Sequence, residues 1–187
     1  MKPIDDNLHW ILSFYRTSEI GGALFFGELA RSLRPSPIQQ DMTRHFADEA
    51  NHARYWTDCL EKLGAEPLKL PAAYQNQYLA AAGMPGNIME ILAITQVFEK
   101  RVVAQYMLHS KSPGTPDIVR ETIETIMADE QWHISWIRDA LAGMEDEYGA
   151  DNIRETLRRY TLADREVYRA TAEEHRARLG ELRLASK

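Results

Sequence analysis

The chain has 187 residues, of which 44% are apolar, enough for one domain with a sizeable core. A net charge of −6 argues against nucleic acid as a partner, and no run of about 18 apolar residues is present to span a membrane. The lone cysteine, Cys59, excludes an internal disulfide, and Asp5 and Asp6 stand where a signal peptide needs an apolar run, so the expected compartment is the cytoplasm.

Five segments carry helical periodicity and none alternates like a strand, which predicts an all-α chain. The first runs from about Asp5 to Leu33, with Leu8, Leu12, Tyr15, Glu19, Gly22, Phe26, Leu29 and Leu33 spaced by three and four. It ends at the Pro35-Ser36-Pro37 breaker. The second runs from about Pro37 to Leu63 and stops at Gly64. A long connection from Ala65 to Gly86 follows, with Pro67, Pro71 and Pro85 in it. The third helix starts near Asn87 and carries Ile88, Ile91, Leu92, Thr95, Glu99, Val102, Val103 and Tyr106 on one face. Lys111 to Gly114 breaks it, and Thr115-Pro116-Asp117 then reads as an N-cap, a first-turn proline and a first-turn acid. The fourth carries Ile123, Ile126, Met127, Glu130, His133, Ile134, Ile137 and Leu141. Asp151 caps a fifth, running to about Leu179, whose stripe of Ile153, Leu157, Tyr160, Val167 and Thr171 is expected to pack on the bundle or on a second subunit.

Short links join helices one and two, and three and four, so each pair is expected to be antiparallel. The long link between two and three can cross the length of a bundle. The expected domain is a single one over 1–187, with a four-helix bundle at about 5–141 and an additional C-terminal helix at about 151–180.

One chemical motif occurs twice. Ala47-Asp48-Glu49-Ala50-Asn51-His52 and Ala128-Asp129-Glu130-Gln131-Trp132-His133 both read A-D-E-x-x-H. Three helical steps of about 100° bring Glu and His to one face, able to grip one ion. Each motif follows an acid set in an apolar stripe on the preceding helix: Glu19 lies 30 positions before Glu49, and Glu99 lies 31 before Glu130. A lone ionised carboxylate in a core costs several kcal/mol, which metal coordination offsets. Four carboxylates and two imidazoles suit a pair of iron or manganese ions better than a structural zinc. The candidate ligands are therefore Glu19, Glu49, His52, Glu99, Glu130 and His133. Asp48 and Asp129 are candidates to accept the distal N–H of a ligand histidine.

Over residues 5 to 141 the chain resembles the ferritin-like di-iron carboxylate superfamily. Its bacterioferritins, rubrerythrins, demethoxyubiquinone hydroxylases and aldehyde-deformylating oxygenases share one Glu and one Glu-x-x-His per helix pair. The resemblance implies a four-helix bundle with one long crossover and two iron ions, with manganese as the alternative. The departures assign no subfamily: Val102 stands where rubrerythrins add a glutamate, Ala50 where bacterioferritins place a haem-ligand methionine, and the fifth helix is long where ferritin cages have a short one.

Other features carry less. Gly21-Gly22 is read as close packing or as open space beside Glu19, in which case Gly22→Leu would keep both metals and lose turnover. His175, on a charged helix, is expected to be solvated. Glu28 and Glu90 lie nine positions from a ligand glutamate, on the opposite face.

The function these readings imply is a non-haem di-iron oxidoreductase that uses O2 or peroxide to oxidise a small organic substrate. Substrate and electron donor are left open, and a homo-oligomer, with a dimer favoured, is expected. Glu49 and Glu130 are the expected bridges. The alternatives are a ferroxidase that handles iron without an organic substrate, and a non-catalytic helical bundle.

Overall fold

The computed structural model describes residues 3–70 and 81–185. Among them are seven helices and no strand: α1 (Asp6–Ser32), α2 (Pro37–Lys62), α3 (Ile88–Ser110), α4 (Asp117–Ala142), α5 (Glu145–Tyr148), α6 (Ala150–Val167) and α7 (Arg169–Ala185). The middle of the expected crossover, 71–80, lies outside the described residues. No helix among the described residues is long and apolar enough to cross a membrane.

The chain divides into two compact units. The first comprises Met1–Ala73, His109–Ile126 and Glu174–Lys187. Asp5 caps α1 by accepting from the Asn7 and Leu8 amides at 2.8 and 3.3 Å. Ser36 caps α2, accepting from the Gln39 amide, and Pro37 opens the helix where its missing N–H costs nothing. Gly64, at φ +75°, ends α2 in the left-handed conformation that side chains disfavour. α1 and α2 pack on each other, and Leu12, Trp56, Leu60 and Ile123 are among the fully buried side chains of this unit. The end of α7 lies on α1: Asn7 Nδ2 donates to Glu181 at 2.9 Å, and the Arg178 guanidinium lies 4.4 Å from the Trp10 ring centre.

The second unit comprises Tyr74–Leu108 and Met127–Glu173. From Leu92 to Val97 every residue of α3 is buried, the polar Thr95 and Gln96 included, so burial here extends beyond the one face that the spacing marks. Ala93, Ile94 and Val97 form a core cluster with Tyr160 of α6, flanked by Leu157 and Val167. That is the partner the fifth-helix stripe was expected to need. Arg101 Nε donates to Asp164 at 2.9 Å while its guanidinium covers the Tyr168 ring at 4.0 Å.

The helix starts differ in detail from expectation. α4 begins at Asp117, with the Pro116 carbonyl accepting its first bonds, because the Thr115 hydroxyl instead donates to the His109 carbonyl at 2.9 Å. The expected fifth helix is two, α6 and α7, which meet at Tyr168, and the four-residue α5 precedes them. Gly149, at φ +82°, separates α5 from α6, and Asp151 sits inside the first turn of α6 rather than capping it.

Candidate metal centre

On α1 and α2 of the first unit, Glu19, Glu49 and His52 are all buried. His52 Nδ1 lies 3.9 Å from Glu19 Oε2. In the second unit Glu99, Glu130 and His133 are buried as well. There His133 Nδ1 lies 3.8 Å from Glu99 Oε2 and 3.6 Å from Glu130 Oε2. Each motif histidine thus turns the same ring nitrogen toward the carboxylate of the preceding helix. These separations exceed a hydrogen bond. They fit co-ligation instead: two atoms each about 2.1 Å from one ion lie about 3.0–4.2 Å apart, depending on the angle they subtend.

Among the described residues two groups of buried side chains could hold a metal ion, the ligand atoms of each all within 4.8 Å of one another. One is Glu19, Glu49, His52 and Glu130; the other is His45, Glu49, Glu99 and His133. All six residues singled out from the sequence fall in one group or the other. The donor set, carboxylate and imidazole without thiolate, fits divalent iron or manganese. Cys59 is in neither group; burial pushes its thiol above the usual range, which leaves it a packing residue.

His45 was not foreseen. It is fully buried on α2, with Nε2 3.2 Å from Glu49 Oε1. The available signal was its spacing: four before Glu49 and seven before His52 is one helix face. His175 corrects an expectation. It is buried, not solvated, with Nε2 2.6 Å from the Tyr15 hydroxyl, because the end of α7 covers α1. Asp48, considered as a histidine acceptor, lies 3.8 Å from Arg44 Nε. Glu28 and Glu90, set aside on helical phase, bond to Arg31 and Arg159.

Gly22 acquires a defined role. A Cβ built there would lie 2.6 Å from Glu49 Oε2, closer than real contacts allow. The space beside α1 is therefore taken by the Glu49 carboxylate, and Gly22→Leu is no longer expected to spare metal. Even Gly22→Ala must push that carboxylate aside. We expect it to fold, since only the end of a flexible side chain has to move, and to bind metal about tenfold more weakly. Melting temperature and metal titration measure both; unchanged affinity would show that Glu49 moves at no cost to binding.

No protein-family model matches this chain, and neither a curated protein nor a solved structure matches it.

Proposed function

We infer that the chain is a ferritin-like four-helix bundle that binds two iron ions and acts as an O2- or peroxide-dependent oxidoreductase on a small organic substrate. The observation that carries this reading is the pair of buried four-residue groups that share Glu49. Glu19 and His52 would hold one ion, Glu99 and His133 the other. Glu49 and Glu130 would serve both, in keeping with Glu49's place in both groups and with Glu130 lying 3.6 Å from His133 while belonging to the group of His52. When bound, a redox-active metal pair supplies the electrons that reduce O2 or peroxide as substrate is oxidised.

The protein's own contribution is local. The carboxylates balance the charge of the ions, and burial of every ligand keeps bulk water from them. The Glu-x-x-His spacing fixes each imidazole beside its carboxylate before metal arrives, so little reorganisation accompanies binding.

The test is anaerobic Fe(II) titration followed by O2 uptake. We expect close to two Fe(II) per chain and O2 consumption well above that of free Fe(II). Binding of no ion, or O2 uptake equal to the free metal, would overturn the reading.

A further inference from the structure

The two halves of the site are not equivalent. Four positions before Glu49, α2 carries His45; four positions before Glu130, α4 carries Ile126, a fully buried apolar side chain. A residue four before another on a helix lies on the same face one turn away, so only one of the two A-D-E-x-x-H motifs has a third donor in line with its Glu and His. His45 is also held in place. Its ring stacks on Phe26 with centroids 3.9 Å apart and planes 29° apart, which sets the ring plane. Its Nε2 stands 3.2 Å from Glu49 Oε1.

We propose that His45 is a seventh protein ligand, binding through Nε2 the ion that Glu99 and His133 hold. The inference rests on the dinuclear reading above. The separation is the one expected of two neighbouring ligands: atoms about 2.1 Å from a shared ion and about 90° apart are about 3.0 Å from each other. His45 belongs to the same four-residue group as Glu49, Glu99 and His133. The consequence is chemical asymmetry. One ion carries two imidazoles, the other one. A neutral imidazole occupies a position that water or an exogenous ligand would otherwise take, so the ion held by Glu19 and His52 is the one left more open to O2 or substrate. The alternative role for His45, a hydrogen bond to Glu49 without metal contact, leaves both ions with one imidazole each.

Counting imidazoles on the metal separates the two. The full chain is loaded anaerobically with Co(II), and its proton NMR spectrum is recorded in H2O and in D2O. Each coordinated histidine contributes one strongly shifted ring N–H resonance that disappears in D2O. We expect three such resonances, and two in His45→Gln, whose amide retains a donor toward Glu49. His45→Gln should also weaken one of the two Co(II) binding steps by about tenfold or more and leave the other unchanged. In His45→Gly, added imidazole should restore the third resonance. Two bound Co(II) with only two resonances in the unaltered chain would overturn the assignment of His45 alone. A chain that takes up no Co(II) would overturn it together with the dinuclear reading.

Discussion

Glu130→Gln should raise the melting temperature of the metal-free protein and lower that of the metal-loaded protein. The opposite signs follow from one fact. Glu19, Glu49 and Glu130 bring three carboxylates and only one imidazole, His52, into a buried group whose ligand atoms lie within 4.8 Å of one another. Without metal, like charges are crowded in a medium that solvates them poorly, and removing one relieves on the order of 1–3 kcal/mol. For a chain of this length, each kcal/mol moves the midpoint by roughly 2–4 °C. With metal present the same change deletes a ligand. A site saturated at a hundredfold excess over its dissociation constant gains about 2.7 kcal/mol, and a tenfold loss of affinity removes about half of that. Thermal melts with excess Fe(II) under anaerobic conditions and with chelator, on the parent and on Glu130→Gln, give both signs. Glu99→Gln should lose metal affinity alike, since Glu99 shares the second group with Glu49, but two imidazoles face two carboxylates there and the metal-free chain should gain little. If Glu130→Gln destabilises the metal-free chain and leaves metal uptake intact, the acids are ordinary ion-pair partners and the site reading fails.

What the sequence revealed, and what it did not, divides along physical lines. Pro35-Ser36-Pro37 and Gly64 set helix ends through backbone restrictions local to those residues, so the limits of α1 and α2 could be read directly. The Glu-x-x-His spacing is likewise local, and helical geometry alone sets His133 beside Glu130. That His52 meets Glu19 and His133 meets Glu99 depends on packing between helices. His175 could not be read this way. Its neighbours Glu173, Glu174 and Arg176 are charged, and only the return of α7 onto Tyr15 and Trp10 buries it. The role of Gly22 was hidden for the same reason, since nothing in α1 alone says that the Glu49 carboxylate occupies the space where a Cβ would go. His45 lies between. Its spacing was visible, but Thr43, Arg44 and Asp48 around it look like a solvated face until Phe26 is seen covering the ring.

Acid should destabilise the metal-free chain through His109 and His175. Both rings are buried in the first unit, their centroids 6.4 Å apart and each within 6 Å of the Tyr15 ring centre. Burial, then the neighbouring His175 and Arg120, pushes His109 down to about 3. Burial, then Arg176, pushes His175 down to about 4. In the unfolded chain both titrate near the ordinary value of about 6.5. Below that pH the unfolded state binds protons that the folded state refuses. The stability these residues carry is therefore complete above about pH 6.5 and is lost progressively as pH falls toward their folded values. Between pH 7 and pH 5 each contributes a loss on the order of 2 kcal/mol. His109→Leu isolates one of the two. Among the described residues neither ring nitrogen of His109 has a hydrogen-bond partner, so leucine removes a buried donor that gains nothing from them. We expect His109→Leu to be about 1 kcal/mol more stable than the parent at pH 7 and roughly 3 kcal/mol more stable at pH 5. Urea unfolding of the chelator-treated proteins at the two pH values measures the difference directly. Should parent and variant lose the same stability on acidification, His109 is not the neutral buried group that its surroundings imply.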